Sequence, residues 1–292
     1  MKVVVFPNLN KKNCHRYTVN ACEILSKNGV SIFMDEKYFN DFKDYAFVKY
    51  GKRNEIVCGS DFIIAVGGDG TILKCSGFAS KHNKPVLGIN CGRLGFMASL
   101  EHSQIELLND FCNSKFTLDK RMMIDAEVIH IDGRREGFTA LNDIVVSKDA
   151  GCKIADFIVS KKGSVISSLR ADGLIFSTPT GSTAYSLSAG GPIIEPSMEC
   201  IEFTQICPHS LLARSMMFKS DSVLDVKFRA NNDAKTVLTV DGNEVLKLVK
   251  SDVLKIYKSK SFIELVDIQG GSFFSSVNEK LMQPIKEMSE DS

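Results

Sequence analysis

Over the first hundred residues, short continuous apolar runs alternate with stretches whose apolar residues recur at helical spacing. Lys2 to Phe6 is a β-rich run. Behind it Tyr17, Ala21, Ile24 and Leu25 stand at i, i+4, i+7 and i+8 before Asn28-Gly29, so the pattern predicts a strand and then an amphipathic helix. Val30 to Met34 repeats the strand pattern, and Asp61 to Val66 is an apolar run ending in Gly67-Gly68. Thr71 to Ala79 is helix-like and Pro85 to Asn90 is again a strand. Strands alternating with helices predict a Rossmann-like parallel α/β layer.

After about residue 100 the pattern changes and helical periodicity almost vanishes. Met123 to Ile131, Phe138 to Ser147, Ile154 to Ser160, Val165 to Thr178, Ser222 to Phe228, Thr236 to Asp241 and Val253 to Tyr257 are β-rich. Turn pairs such as Asp132-Gly133, Lys162-Gly163 and Asp241-Gly242 punctuate them, as in a mostly antiparallel, β-sandwich-like domain. The expected organisation is an α/β domain over residues 1–100 and an all-β domain over 101–265. Phe273, Phe274, Val277 and Leu281 fit one helix face, so a tail from about 266 to 292 is expected to pack back on the first domain.

Composition adds limits. The chain has 292 residues, 44% hydrophobic and 24% charged, which suits one or two packed cores. With 36 Lys and Arg against 35 Asp and Glu, no long-range field gathers nucleic acid or an anionic membrane, and neither partner is expected. An anionic ligand must then be held by local groups. The opening MKVVVFPNLN carries an apolar run too short for a signal-peptide core or a membrane span. Nine cysteines, scattered without a CxxC pair, suggest neither a disulfide framework nor a zinc site; free thiols in a reducing cytoplasm are expected. The five histidines are isolated, and a surface or satisfied core role is expected for each.

The first candidate site is AVGGDGTIL, Ala65 to Leu73, between a buried strand and a helix start, where open α/β sheets bind ligands. Gly67, Gly68 and Gly70 lack a Cβ, so the backbone is free to take positive φ and a polyphosphate can approach the amides, helped by the helix dipole and followed by Thr71. Asp69 is the anomaly, because a carboxylate repels phosphate unless it holds a metal ion or takes a proton from an attacking hydroxyl. A glycine turn with a capping Asp or Thr reads the same letters. The chain has no Walker loop and no GxGxxG, and Lys74 reads as a solvated helix residue. GGDGT resembles the phosphate-loop signature of a kinase superfamily that contains NAD kinases, diacylglycerol and sphingosine kinases and 6-phosphofructokinases.

The second candidate is RADGLIFSTPTGSTAYSLSAGGP, Arg170 to Pro192, a dense run of small and hydroxyl residues. Its hydroxyls suit sugars and amides, although a polar loop between strands has the same composition. From DGLIF onward this run resembles the long signature of bacterial NAD kinases. LND (Leu141 to Asp143), GRLGF (Gly92 to Phe96), PHSL (Pro208 to Leu211) and VDG (Val240 to Gly242) match further elements of that family in its order.

The resemblance implies transfer of the γ-phosphate of ATP to the 2′-hydroxyl of the adenosine ribose of NAD, with Asp69 as general base and Gly70 beside it. It implies that Phe96 lies against adenine, that Asn142 and Asp143 bind ribose hydroxyls, and that Arg170 and Asp172 sit near the other half of NAD. Thr183, Ala184, Tyr185, Ser186, Leu187 and Ser188 would line the NAD groove, with Tyr185 stacking. Asn243 stands where the family usually has Gln, and Lys153 matches another variable position. The resemblance also implies Mg²⁺ or another divalent cation, much of it carried by ATP, with metal ligands that the sequence does not identify, and a homodimer or homotetramer. Because Asp69 falls in the α/β half and Asn142 in the β half, NAD is expected to bridge the two. A lipid kinase of the diacylglycerol or sphingosine type sharing GGDGT, and a non-catalytic nucleotide-sensing module, are the other readings. The Asn142-Asp143 pair and the absence of a basic amphipathic stretch speak against the lipid kinase, and the presence of Asp69 against the sensor.

Overall fold

The computed structural model describes residues 1–92, 95–149, 153–210, 213–229 and 236–270, together with Phe273 and 276–278. The chain divides into two compact units, Met1–Lys120 with Ile263–Ser292, and Arg121–Phe262. Residues 101–120, expected in the second domain, belong to the first unit. The short strand Leu100–Glu101 pairs with the preceding strand Val86–Asn90, and Leu108 and Phe111 are buried in the first unit's core.

In the first unit, β1 (Lys2–Pro7), β2 (Ser31–Asp35), β3 (Val48–Gly51), β4 (Phe62–Gly67), β5 (Val86–Asn90) and β6 (Leu100–Glu101) form a parallel sheet in the order β6-β5-β4-β1-β2-β3. The central strands are buried on both faces, which is why they read as unbroken apolar runs; Val3, Val4, Val5, Ile63, Ile64 and Val66 are all fully buried. The helix Cys14–Lys27 turns Cys14, Thr18, Ala21, Cys22 and Leu25 inward, and the helix Asp69–Lys81 does the same with Thr71, Ile72, Cys75 and Ala79. Pro7 pairs with Val66 and Gly67 with Asn90, so the loops after β1, β4 and β5 converge at one edge.

The second unit holds β7 (Thr117–Ile129, which begins in the first unit), β8 (Arg135–Ala140), β9 (Asp143–Lys148), β10 (Ala155–Lys161), β11 (Ser164–Ala171), β12 (Gly173–Ser177), β13 (Cys200–Ile206), β14 (Met216–Lys219), β15 (Leu224–Arg229), β16 (Thr236–Val240), β17 (Asn243–Leu248) and most of β18 (Val253–Asp267). One antiparallel sheet runs β14-β13-β12-β9-β16-β17 and another β11-β10-β15-β18, with β7 paired to β8. A single apolar core takes Ile144, Phe176 and Phe203 from the first of these and Phe157, Val226 and Ile256 from the second. The turns at Lys162-Gly163 and Asp241-Gly242 have positive φ at both residues, the conformation that suits tight hairpins.

Several expected elements differ in detail. Phe138 to Ser147 is two strands broken at Leu141-Asn142, and Val165 to Thr178 is two strands in different sheets, broken at Asp172. Val253 to Tyr257 is only the start of a strand reaching Asp267. The strands β3, β13, β14 and β17, absent from the sequence reading, form because neighbouring strands supply their ladders. The tail helix expected from Phe273 to Leu281 lies mostly outside the described residues; Phe273 and 276–278 are helical. No helix among the described residues is long and apolar enough to cross a membrane.

Candidate active site

The glycine loop follows β4 and leads directly into the helix Asp69–Lys81, with Asp69 as its first residue. Positive φ plays no part here: Gly68 is fully extended, and neither Gly67 nor Gly70 has positive φ. Crowding constrains the loop instead, because a Cβ on Gly67 would lie 2.1 Å from Thr71 Oγ1. Asp69 does not cap the helix. Its Oδ2 accepts the Phe96 N–H at 2.6 Å and its Oδ1 the Met97 N–H at 3.1 Å, which ties the carboxylate to the GRLGF segment. Gly95 makes this approach possible, since a Cβ there would fall 1.9 Å from Asp69 Oδ1. Phe96 is thus brought to Asp69 through its backbone, and its ring is partly exposed.

A lysine reaches this loop from a direction that the Walker spacing does not anticipate. Lys11, in the loop after β1, places Nζ 3.2 Å from the Gly67 carbonyl, and a Cβ on Gly68 would lie 2.5 Å from the same nitrogen. Nothing in the local letters FPNLNKK marks it; only the parallel pairing of β1 with β4 brings the two loops together.

In the second unit, the LND segment is held by Asp241 of the VDG turn. Asp241 accepts the backbone N–H of Leu141 at 2.9 Å, of Asn142 at 2.8 Å and of Asp143 at 3.2 Å. Those amides therefore leave the sheet ladder, which explains the break between β8 and β9. Asn142 and Asp143 are both buried, and Asn142 Oδ1 has no hydrogen-bond partner among the described residues. Burial, with the Asp241 carboxylate nearby as the smaller cause, pushes Asp143 up to about 7. Burial raises Asp241 too, against the lowering effect of its three backbone donors. Asn243 is exposed and donates from Nδ2 to the Asp241 carbonyl at 3.2 Å.

The hydroxyl-rich segment packs directly against LND. Thr178 N–H donates to the Asn142 carbonyl at 2.9 Å and Thr178 Oγ1 to the Leu141 carbonyl at 2.6 Å. Gly181 is required by closeness, for its Cβ would sit 2.1 Å from the Asn142 carbonyl oxygen. Much of the hydroxyl chemistry is spent inside the protein, whereas the sequence reading offered these hydroxyls to sugars and amides. Ser177, Thr178, Thr180, Ser182 and Ser186 are all buried, and burial obliges each hydroxyl to find a partner. Ser182 Oγ donates to the Pro179 carbonyl and accepts the Ile194 N–H, at 2.7 and 3.0 Å. Ser186 Oγ donates to Glu202 Oε1 at 2.7 Å. In the Thr183 to Ser188 stretch, Tyr185 and Ser188 are exposed, while Thr183, Ala184 and Leu187 are partly so.

Glu202, missed in the sequence, lies beneath this segment. It is fully buried on β13, Oε1 also accepts Thr204 Oγ1 at 2.8 Å, and Oε2 has no partner among the described residues. Burial raises its carboxyl above the usual range, opposed by the two hydroxyl donors. A single Glu inside CIEFTQI gives no sign that it meets a serine sixteen residues earlier in the chain.

Arg170 and Asp172 lie apart from this cluster in their bonding. Arg170 Nε pairs with Asp156 at 2.9 Å and Lys148 with Asp172 at 2.8 Å. Arg170 lines a cavity of about 650 Å³ that also includes Gln205, His209 and Arg214. Lys153 is exposed.

Comparisons with known proteins place this geometry. Residues 3–116 match the ATP-NAD kinase N-terminal domain and residues 141–268 the ATP-NAD kinase C-terminal domain. An NAD kinase of Caldanaerobacter subterraneus subsp. tengcongensis is 36% identical over 286 residues, covering 97% of this chain and 99% of the relative. An NAD kinase of Citrifermentans bemidjiense is 31% identical over 281 residues, covering 96% and 98%. In fold, the chain is similar to yeast NADH kinase complexed with NADH, with a TM-score of 0.88 at 23% identity, covering 100% of this chain and 90% of that one. It is also similar to an NAD kinase from Archaeoglobus fulgidus in complex with ATP, with a TM-score of 0.72 at 24% identity, covering 97% and 99%. By domain content and full-length similarity, the chain belongs to the ATP-NAD kinase family.

Proposed function

We propose that this protein transfers the γ-phosphate of ATP to the 2′-hydroxyl of the adenosine ribose of NAD, giving NADP and ADP. The observation that carries the reading is the fixed carboxylate of Asp69. It stands at the first helical residue after a glycine loop, oriented by the amides of Phe96 and Met97. Phosphoryl transfer through a loose transition state needs positioning and charge neutralisation more than covalent help. Asp69 orients the attacking hydroxyl and takes its proton, using lone pairs that the two amides leave available. The loop amides and Lys11 face the triphosphate.

Asn142 and Asp143 bind ribose hydroxyls, and the unpaired Asn142 Oδ1 supports this, since a buried acceptor without a donor is costly unless a ligand supplies one. Phe96 and Tyr185 present rings to the bases, Thr183, Ala184, Ser188 and Leu187 line the NAD groove, and Ser186 supports it from below. Arg170, Asp172, Lys153 and Asn243 recognise the remainder of NAD, some of them across a subunit boundary in a homodimer or homotetramer. No three His, Cys, Asp or Glu side chains converge among the described residues. A divalent cation would enter as part of the metal–ATP substrate, held chiefly by phosphate oxygens. The eight described cysteines are free thiols, which supports work in a reducing cytoplasm.

The test is direct: purified protein is incubated with ATP, Mg²⁺ and NAD, and NADP is measured with an NADP-specific dehydrogenase. NADP formed in proportion to enzyme is expected. Phosphorylation of a diacylglycerol or sphingoid base without NADP would favour the lipid-kinase reading, and binding of NAD without turnover would favour the sensor.

A further inference from the structure

We propose that Cys14 and Cys91 form a reversible disulfide under peroxide and that this bond silences the site around Asp69. The bond itself stands apart from the kinase reading, whereas its effect on turnover rests on that reading. The two residues meet at the edge of the parallel sheet where the loops after β1, β4 and β5 converge. Cys14 is the first residue of the helix Cys14–Lys27, and Cys91 directly follows β5. Leu87, Ile89 and Cys91 alternate onto the sheet face that this helix covers, so all three share a buried cluster with Cys14 and Val66.

Both residues are anchored to one short stretch of β4. Cys14 Sγ donates to the Val66 carbonyl at 3.3 Å, and the Cys91 N–H donates to the Gly67 carbonyl at 2.8 Å. Consecutive carbonyls thus set the two side chains beside each other, and the thiols are hydrogen-bonded to one another. Their surroundings make them unequal. The Cys91 S–H, then the Asn8 backbone N–H and the Lys11 ammonium, favour a Cys14 thiolate against the opposing effect of burial, and bring its pKa down to about 7. Donation to Cys14, and then burial, raise Cys91. A thiolate beside a thiol, with a lysine nearby, is the arrangement of an attacking and a resolving cysteine. Cys22 and Cys75, also buried in the first unit, lack it, and burial pushes both up to about 12.

Hydrogen peroxide is the oxidant. Cys14 is fully covered and Cys91 is 6% exposed, so only an oxidant of about that size reaches the pair. The Cys14 thiolate attacks one peroxide oxygen and the O–O bond breaks. The hydroxide released takes up the proton that Cys14 had lost and becomes water, leaving Cys14 as a sulfenic acid. The Cys91 sulfur then displaces the sulfenic hydroxyl, which leaves as a second water with the Cys91 proton. Each sulfur gives up one electron and the peroxide gains two. A dithiol reverses the bond by exchange. Closure draws the sulfurs from hydrogen-bond contact to about 2.05 Å, pulling the start of the helix and the end of β5 together over Gly67. Cys91 leads on to Phe96 and Met97, whose amides hold Asp69, and Lys11 lies just before Cys14, so both groups at the glycine loop shift.

The reduced full-length protein is treated with a few equivalents of hydrogen peroxide, digested and mapped by mass spectrometry. A disulfide link between the peptides carrying Cys14 and Cys91, abolished by dithiothreitol, is expected, with the exposed Cys58 and Cys207 outside it. The linked protein should form NADP about fivefold more slowly or worse, recover with dithiothreitol, and show altered amide hydrogen exchange over residues 92–99. Cys91→Ala should keep kcat within about twofold and resist the same treatment; Cys14→Ala serves if that variant fails to fold. Absence of the link, a link that leaves turnover and exchange unchanged, or equal inactivation of the alanine variant would each overturn the proposal. If neither the reduced nor the linked protein forms NADP, the kinase reading falls, and the link and the exchange pattern still decide the switch.

Discussion

The Asp241 carboxylate accepts the backbone N–H of Asn142 at 2.8 Å, across ninety-nine residues of chain. It also holds the amides of Leu141 and Asp143, so one side chain sets the conformation of the whole Leu141–Asp143 segment, the one proposed to bind ribose. Asp241→Ala leaves three amides without their acceptor. At about 1–3 kcal/mol for each buried group left unsatisfied, a drop in Tm of several degrees is expected, with weaker NAD binding. Thermal unfolding and calorimetry check it, and unchanged values for both would show that the segment holds itself.

Asp143 gives the site a pH dependence. Burial chiefly, then the Asp241 carboxylate, carries its pKa from 3.8 to about 7. Between these values the folded chain keeps a proton that the unfolded chain has released, so this residue's contribution to stability falls as pH rises through that window. Asp143→Asn removes the contribution, and its Tm should fall less than the wild type's between pH 5 and pH 8. A variant with the same slope as wild type would place the titration elsewhere.

Asp69→Asn should cut kcat by about 10²–10⁴, the usual worth of a general base. An amide offers one acceptor oxygen where the carboxylate offers two, so one of the Phe96 and Met97 amides also loses its partner. A modest loss of stability should accompany the kinetic defect. Steady-state kinetics and a melting curve on the same preparation separate the two effects, and near wild-type kcat would remove Asp69 from the mechanism.

Lys11→Ala tests the unanticipated cation at the loop. A hydrogen bond to a charged group contributes about 1.5–3 kcal/mol, so KM for ATP should rise roughly ten- to a hundredfold with little change in KM for NAD. Equal changes in both constants would point to a general loss of loop structure.

Glu202→Gln keeps an acceptor for Ser186 and Thr204 while removing the charge that burial disfavours, and should fold and bind NAD normally. Glu202→Leu should raise KM for NAD, because the Tyr185–Ser188 turn loses its anchor. Rescue by Gln but not by Leu distinguishes a hydrogen-bonding support from a charge requirement.

The sequence alone determined the alternation of strand and helix before residue 100 and the change to antiparallel strands after it. Continuous apolar runs and turn pairs such as Lys162-Gly163 are local signals with local causes. GGDGT, LND and the hydroxyl-rich run also pointed to a nucleotide kinase, because motifs preserve residue type and spacing. Only the tertiary structure decided which of those polar groups remain available to a ligand. Ser186 has the same letter and the same flanks whether it faces NAD or Glu202, and its inward bond exists because β12 and β13 lie side by side. The same reason applies to Lys11 and Asp241. Each acts on a segment more than fifty residues away, through a strand pairing whose partner cannot be read from either segment. Sheet order converts distant polar residues into neighbours, and burial then compels them to bond to one another.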